Sequence, residues 1–168
     1  MIGMRCSRWI WVLLFGTWAA AGAAVTAGVC RGADQPWGPE TPPFNVEVVL
    51  RGDGFGLVRF RQPNDDALIV NLDVWVRDLA PNTSYLLQRA VDANVDGECT
   101  STAWLTLGKG SQPQSIMTDA KGTGREKLFR DLGAFAVGSR FDIHFRVVEE
   151  GSGAVVLTSQ CYQFAISQ

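Results

Sequence analysis

The chain has 168 residues, 46% of them hydrophobic and 19% charged, with a formal net charge of −2. That suits one domain plus a targeting segment, with enough apolar material for a core, and it argues against disorder. No basic run or patch stands out, so nucleic acid is not an expected partner.

Arg5 and Arg8 open the chain, residues 9–25 carry no charge, and the stretch turns Ala-rich toward its end. That is the pattern of a secretory signal peptide. A signal over residues 1–27 is expected, with its end falling as late as about residue 33. A retained anchor is the alternative, although an uncharged stretch of about 17 residues diluted by Gly and Ala is marginal for a bilayer span. A lipid-modified Cys30 is a third reading, poorly served by Val29 directly before it. Losing Arg5 and Arg8 leaves 13 basic residues against the 17 acidic ones, a charge of −4. The mature protein is expected to be secreted or to lie in the periplasm or cell envelope, touching membrane only through its N-terminal segment. Residues 28–43 include Pro36, Pro39, Pro42 and Pro43 and show no period, as a Pro/Gly-rich linker would.

Residues 44–168 then take the two-residue period of strands. Leu68, Val70, Leu72, Val74 and Val76 share one face, while Ile69, Asn71, Asp73, Trp75 and Arg77 share the other. Phe141, Ile143, Phe145 and Val147 alternate with Asp142, His144 and Arg146. Shorter cases are Val46-Val48-Leu50, Val58-Phe60 against Arg59-Arg61, and Ala103-Leu105-Leu107; a last strand is expected over 154–166. Turn signals separate the runs, among them Gly52-Asp53-Gly54, Pro81-Asn82, Asp96-Gly97 and Asp119-Ala120-Lys121-Gly122. The expectation is an all-β domain of about eight antiparallel strands, a Greek-key β-sandwich or flattened eight-stranded barrel. Tyr162 and Phe164 either pack inside it or feed a dimer contact.

Three cysteines follow the signal: Cys30, Cys99 and Cys161. In an oxidising compartment, pairing Cys99 with Cys161 would tie a middle loop to the last strand and leave Cys30 over.

The order of features resembles the copper/zinc superoxide dismutases. Val48-Val49-Leu50-Arg51-Gly52-Asp53-Gly54 is similar to their opening hairpin, and residues 56–62 (Gly-Leu-Val-Arg-Phe-Arg-Gln) to their second strand. Residues 74–79 with Pro81 resemble the third strand and its turn, and residues 97–103 resemble the Gly-Cys-Thr-Ser-Ala-Gly segment, with Glu98 extra. Residues 119–124 resemble a later Asp-x-x-Gly turn, and Cys161 occupies the place of the second disulfide cysteine. The resemblance spans roughly residues 45–166 and implies that family's sandwich and the same Cys99–Cys161 bridge. A fibronectin-like corner over residues 79–85 offers an immunoglobulin-like rival, but about 80 residues follow Tyr85, too many for that module.

The family's metal centre has no counterpart. Its enzymes use six histidines and an aspartate, and this chain has one histidine. The His-x-His strand falls at Leu86-Leu87-Gln88, and the guiding arginine at Thr158. His144 matches the spacing of the last copper histidine, so a relic copper contact is set against a plain surface-strand histidine; one imidazole is too few for a selective site. Asp92, Asn94 and Asp96, with Gly97, match half of a calcium loop, but Ala103 stands where the bidentate Glu belongs. Ile69 and Trp75 on the wet face suggest either an interaction surface or a strand covered on both sides. The expected function is a non-catalytic exported binding or structural module; the alternative is a divergent protein binding copper at His144 or calcium at residues 92–96.

Overall fold

Buried Val46, Val48 and Leu50 alternate with exposed Glu47 and Arg51 along the first strand, β1 (Phe44–Gly52), so one face of the chain leaves water as the pleat forms. The structure is a computed structural model in which residues 44–63, 67–133 and 135–166 are described; the expected signal, the linker and Cys30 lie outside them. Among the described residues there is no helix.

β1 pairs with β2 (Phe55–Gln62), and β2 with β3 (Ile69–Arg77), as an antiparallel meander. The next strand, β4 (Ser84–Asp92), does not continue it. Beside β3 lies β9 (Gly124–Asp131), and beyond β1 lie β11 (Val155–Ser159), β10 (Arg140–Glu149) and then β4. Four short strands connect the ends: β5 (Leu105–Thr106), β6 (Gly108–Lys109), β7 (Gln112–Pro113) and β8 (Ser115–Met117). β5 and β8 pair with β4, whereas β6 pairs with β9. The amide of Leu107 donates to Leu87 O (2.8 Å) and that of Gly110 to Phe129 O (3.0 Å). This crossing curls the sheet nearly closed into a barrel.

Inside, Val70, Leu72, Val74 and Val76 of β3 face Phe145 and Val147 of β10 in one continuous core. Phe60 meets Phe145 and Phe164 edge-on, at centroid distances of 6.1 and 4.7 Å. Burying each such side chain stabilises the fold by roughly 1.5–3 kcal/mol. Phe164 therefore packs inside, and the Tyr162 hydroxyl accepts the Val49 amide at 3.2 Å. Both belong to β12 (Tyr162–Ala165), which pairs with the first half of β10.

Four expectations need correcting. Among the described residues twelve strands form, of which β5, β6, β7 and β8 are only two or three residues long. The run 103–107 yields only β5, because the amides of Ala103 and Trp104 turn back to Ser101 and Thr102 and only Leu105 and Thr106 pair with β4. The expected last strand over 154–166 breaks at Gln160 and Cys161, so Cys161 sits between β11 and β12, not within a strand. Ser159 repairs the ladder there, its hydroxyl accepting the Phe145 amide at 2.9 Å. Leu68 precedes β3 with a φ of 50°, so the first residue of that strand is Ile69.

The turn before β9 leaves no room for a side chain. Asp119 Oδ1 accepts the amides of Lys121 (2.8 Å) and Thr123 (3.0 Å), and these bonds, Thr123's foremost, hold its carboxyl below the usual value. Gly122 follows with a φ of +73°, and a Cβ on it would lie 2.0 Å from Leu79 O. Gly122→Ala is expected to cost about 2 kcal/mol in urea unfolding, from left-handed strain plus backbone displacement; an unchanged midpoint would refute that.

Candidate functional site

The polar candidates read from the sequence gather on the outer face of β10, where they hold the connection of residues 93–104 against the barrel. Asp142 is fully buried, contrary to its expected place on a wet face. Its Oδ2 accepts the amides of Asp96 (3.0 Å) and Gly97 (2.7 Å). Two residues on, His144 is half-buried rather than a surface histidine. Its Nε2 donates to Ser101 O at 3.0 Å, and its ring lies 4.5 Å from that of Trp104. Arg146 places its guanidinium 4.1 Å from the same indole and donates from Nε to Gln88 Oε1 at 2.7 Å. Gln88 in turn donates to Thr106 Oγ1. The Cys99–Cys161 disulfide closes the connection, with the two Cα atoms 5.3 Å apart.

The calcium-loop residues are part of the same fastening. Asp92 Oδ2 accepts the amides of Thr100 (3.2 Å) and Ser101 (3.1 Å), and Oδ1 accepts the Thr100 hydroxyl. Asp96 accepts from Asn94 and from the Glu98 amide. These carboxylates point at amides instead of converging on a common centre. Among the described residues no three His, Cys, Asp or Glu side chains cluster to hold a metal ion.

On the opposite side of the barrel, Ile69 and Trp75 do share the outer face of β3 with Asn71 and Asp73. Trp75 is half-covered: Phe55 meets it edge-on at 5.8 Å, and the guanidiniums of Arg125 and Arg77 lie 5.7 and 5.8 Å from its ring. Ile69 sits at the far end of the strand, opposite Asp131.

A cavity enters the barrel itself. It holds about 220 Å³ and is walled by core side chains, including Phe60, Ile143, Phe145 and Phe164. Phe135, 48% exposed, and exposed Ala93 place its mouth at the barrel end, beside the connection of residues 132–139. Its polar lining consists of Arg89, Arg130, Ser139 and Arg140. No family model matches this sequence, and no curated protein does. What the cavity can do follows from that lining alone.

Arg89 and Arg130 stand at inward-facing positions. Arg89 lies opposite Phe145 and continues the buried side of β4 after Tyr85 and Leu87. Arg130 lies opposite buried Val70 and follows Leu128 on β9. Both are half-buried. Burial, and after it the charge of Arg130, lowers the Arg89 pKa from its ordinary value. Among the described residues no carboxylate pairs with Arg89, Arg130 or Arg140. The sequence does carry a signal for them, a cation at the inward phase in Tyr85-Leu87-Arg89-Val91 and again in Leu128-Arg130-Leu132, and reading for metal ligands passed over it.

Proposed function

We propose that this chain is an exported, non-catalytic binding module, a superoxide dismutase-like Greek-key scaffold without the metal centre, whose ligand site is the cavity at the barrel end. The observation that carries this is an apolar space of about 220 Å³ reaching the core side chains from the surface. It exceeds the roughly 150 Å³ that accepts a benzene-sized guest and falls short of the roughly 300–1,000 Å³ of drug-sized sites. A small or slender apolar ligand fits that interval. The lining supports binding over catalysis: its polar side chains are three arginines and Ser139, and no His, Asp or Glu stands among the lining residues. The neighbour order supports the Greek-key scaffold, since β3 is followed in space by β9 and β4 returns beside β10. Export is supported by the disulfide, which persists in oxidising compartments.

Isothermal titration with 1-octanol tests the site. One saturable site per chain is expected, with a matching rise in the urea midpoint, because a ligand that binds only the folded state stabilises it. Ala93→Trp, at an exposed position on the mouth, is expected to remove the binding while leaving cooperative unfolding intact. Absence of saturable binding, or binding untouched by Ala93→Trp, would sink the proposal.

A further inference from the structure

Two guanidiniums at the inner mouth of an apolar cavity, without a carboxylate partner among the described residues, ask for an anion. A surface arginine is solvated on all sides and needs no partner. Arg89 and Arg130 differ: each takes an inward position where the strand's period places an apolar side chain, each is half-buried there, and burial strips hydration from Arg89. The pair also repels itself, since the charge of Arg130 acts on Arg89. The Arg130 Nη1 contact with Gly110 O, at 3.4 Å, relieves little of this. An anion seated between them would relieve both the repulsion and the lost hydration.

The rest of the cavity restricts what that anion is attached to. Beyond the arginines and Ser139 the walls are Phe60, Phe141, Phe145 and Phe164 with aliphatic neighbours, which give no hydrogen bond to a polar ligand body. A free phosphate or sulfate would leave that space unfilled. Exposed Phe135 at the mouth extends the apolar path outward. We propose that the cavity takes a single-chain anionic amphiphile, a medium-chain fatty acid, with its carboxylate between Arg89 and Arg130 and its tail against the core phenylalanines. This rests on the cavity being a ligand site, as argued above. Arg140, exposed on the rim, adds a third positive charge that draws the carboxylate end toward the mouth.

Three ligands with one tail separate the possibilities: octanoate, 1-octanol and octylamine, each titrated calorimetrically into the oxidised protein at low and high salt. Octanoate is expected to bind roughly tenfold more tightly than 1-octanol, the increment of one charge-assisted pair, and octylamine more weakly than either. Added salt is expected to narrow the octanoate preference and leave 1-octanol unchanged. Arg89→Gln with Arg130→Gln is expected to bring octanoate and 1-octanol within about threefold of each other while 1-octanol still binds, which also certifies the folded cavity. If 1-octanol binds and octanoate is no tighter, the anionic inference fails and the cavity reading stands. If the preference survives the double substitution, the carboxylate lies elsewhere and the inference fails again. If none of the three binds, the cavity reading fails and takes the inference with it.

Discussion

Replacing both Cys99 and Cys161 with serine is expected to lower the unfolding free energy by about 4 kcal/mol. The bridge spans 62 residues of sequence, and in the chain-entropy treatment a crosslink of that length strongly restricts the unfolded ensemble. The folded side of the balance should change less. Asp142, His144 and Arg146 still fasten the connection of residues 93–104 after the sulfurs part, and β12 still pairs with β10. The reduced form should therefore stay folded at room temperature with its urea midpoint shifted down. Hydrogen exchange should show where the fastening loosens first. The amides of Asp96, Gly97, Thr100 and Ser101, all bonded to carboxylates, lose protection before the core amides of β2 and β3 do. Equal midpoints for the oxidised protein and the double variant would show that the bridge constrains nothing.

The strands that announce themselves in the sequence are those with an unbroken alternation. β1, β2, β3 and β10 are legible because their inward positions are apolar, with Gln62 of β2 the exception, and charged side chains such as Glu47, Arg59, Asp73 and Arg146 recur on the other face. β4 and β9 lack that clarity for one physical reason. Each carries an arginine at an inward position, so the two-residue pattern fails along the cavity wall. Under the proposed binding role such a break is expected, since function and not packing then chooses the residue. The two cysteines were legible because an expected oxidising compartment and their two positions both pointed to one bridge. The outer face of β10 was misread because alternation predicts which face a side chain takes, not what later covers it. Residues 93–104 return over Asp142 and His144, and that return depends on contacts distant in sequence. For the same reason the calcium-like spacing of Asp92, Asn94 and Asp96 misleads: oxygens at alternate positions serve turn amides as readily as a cation.

Asp142→Ala is expected to cost about 3 kcal/mol, because it removes two charge-assisted bonds at once and leaves the Asp96 and Gly97 amides without their acceptor. The sum of two such bonds would be larger. It is reduced because the wild-type carboxylate is itself buried, with Oδ1 lacking a partner among the described residues, so its removal recovers part of a desolvation cost. Asp142→Asn keeps an acceptor of the same shape and gives up the charge, and about half the loss is expected from it. The comparison separates a clamp from a metal site. If residues 92–97 were shaped by a bound cation, millimolar calcium would raise the wild-type midpoint and rescue Asp142→Ala, since a ligand of the folded state stabilises it by mass action. If the carboxylate of Asp142 shapes them, calcium leaves both midpoints where they were, and the order wild type, Asn, Ala persists in its presence and in that of a chelator. A wild-type midpoint for Asp142→Ala would remove Asp142 from the clamp, whereas recovery with calcium would hand the loop to the cation.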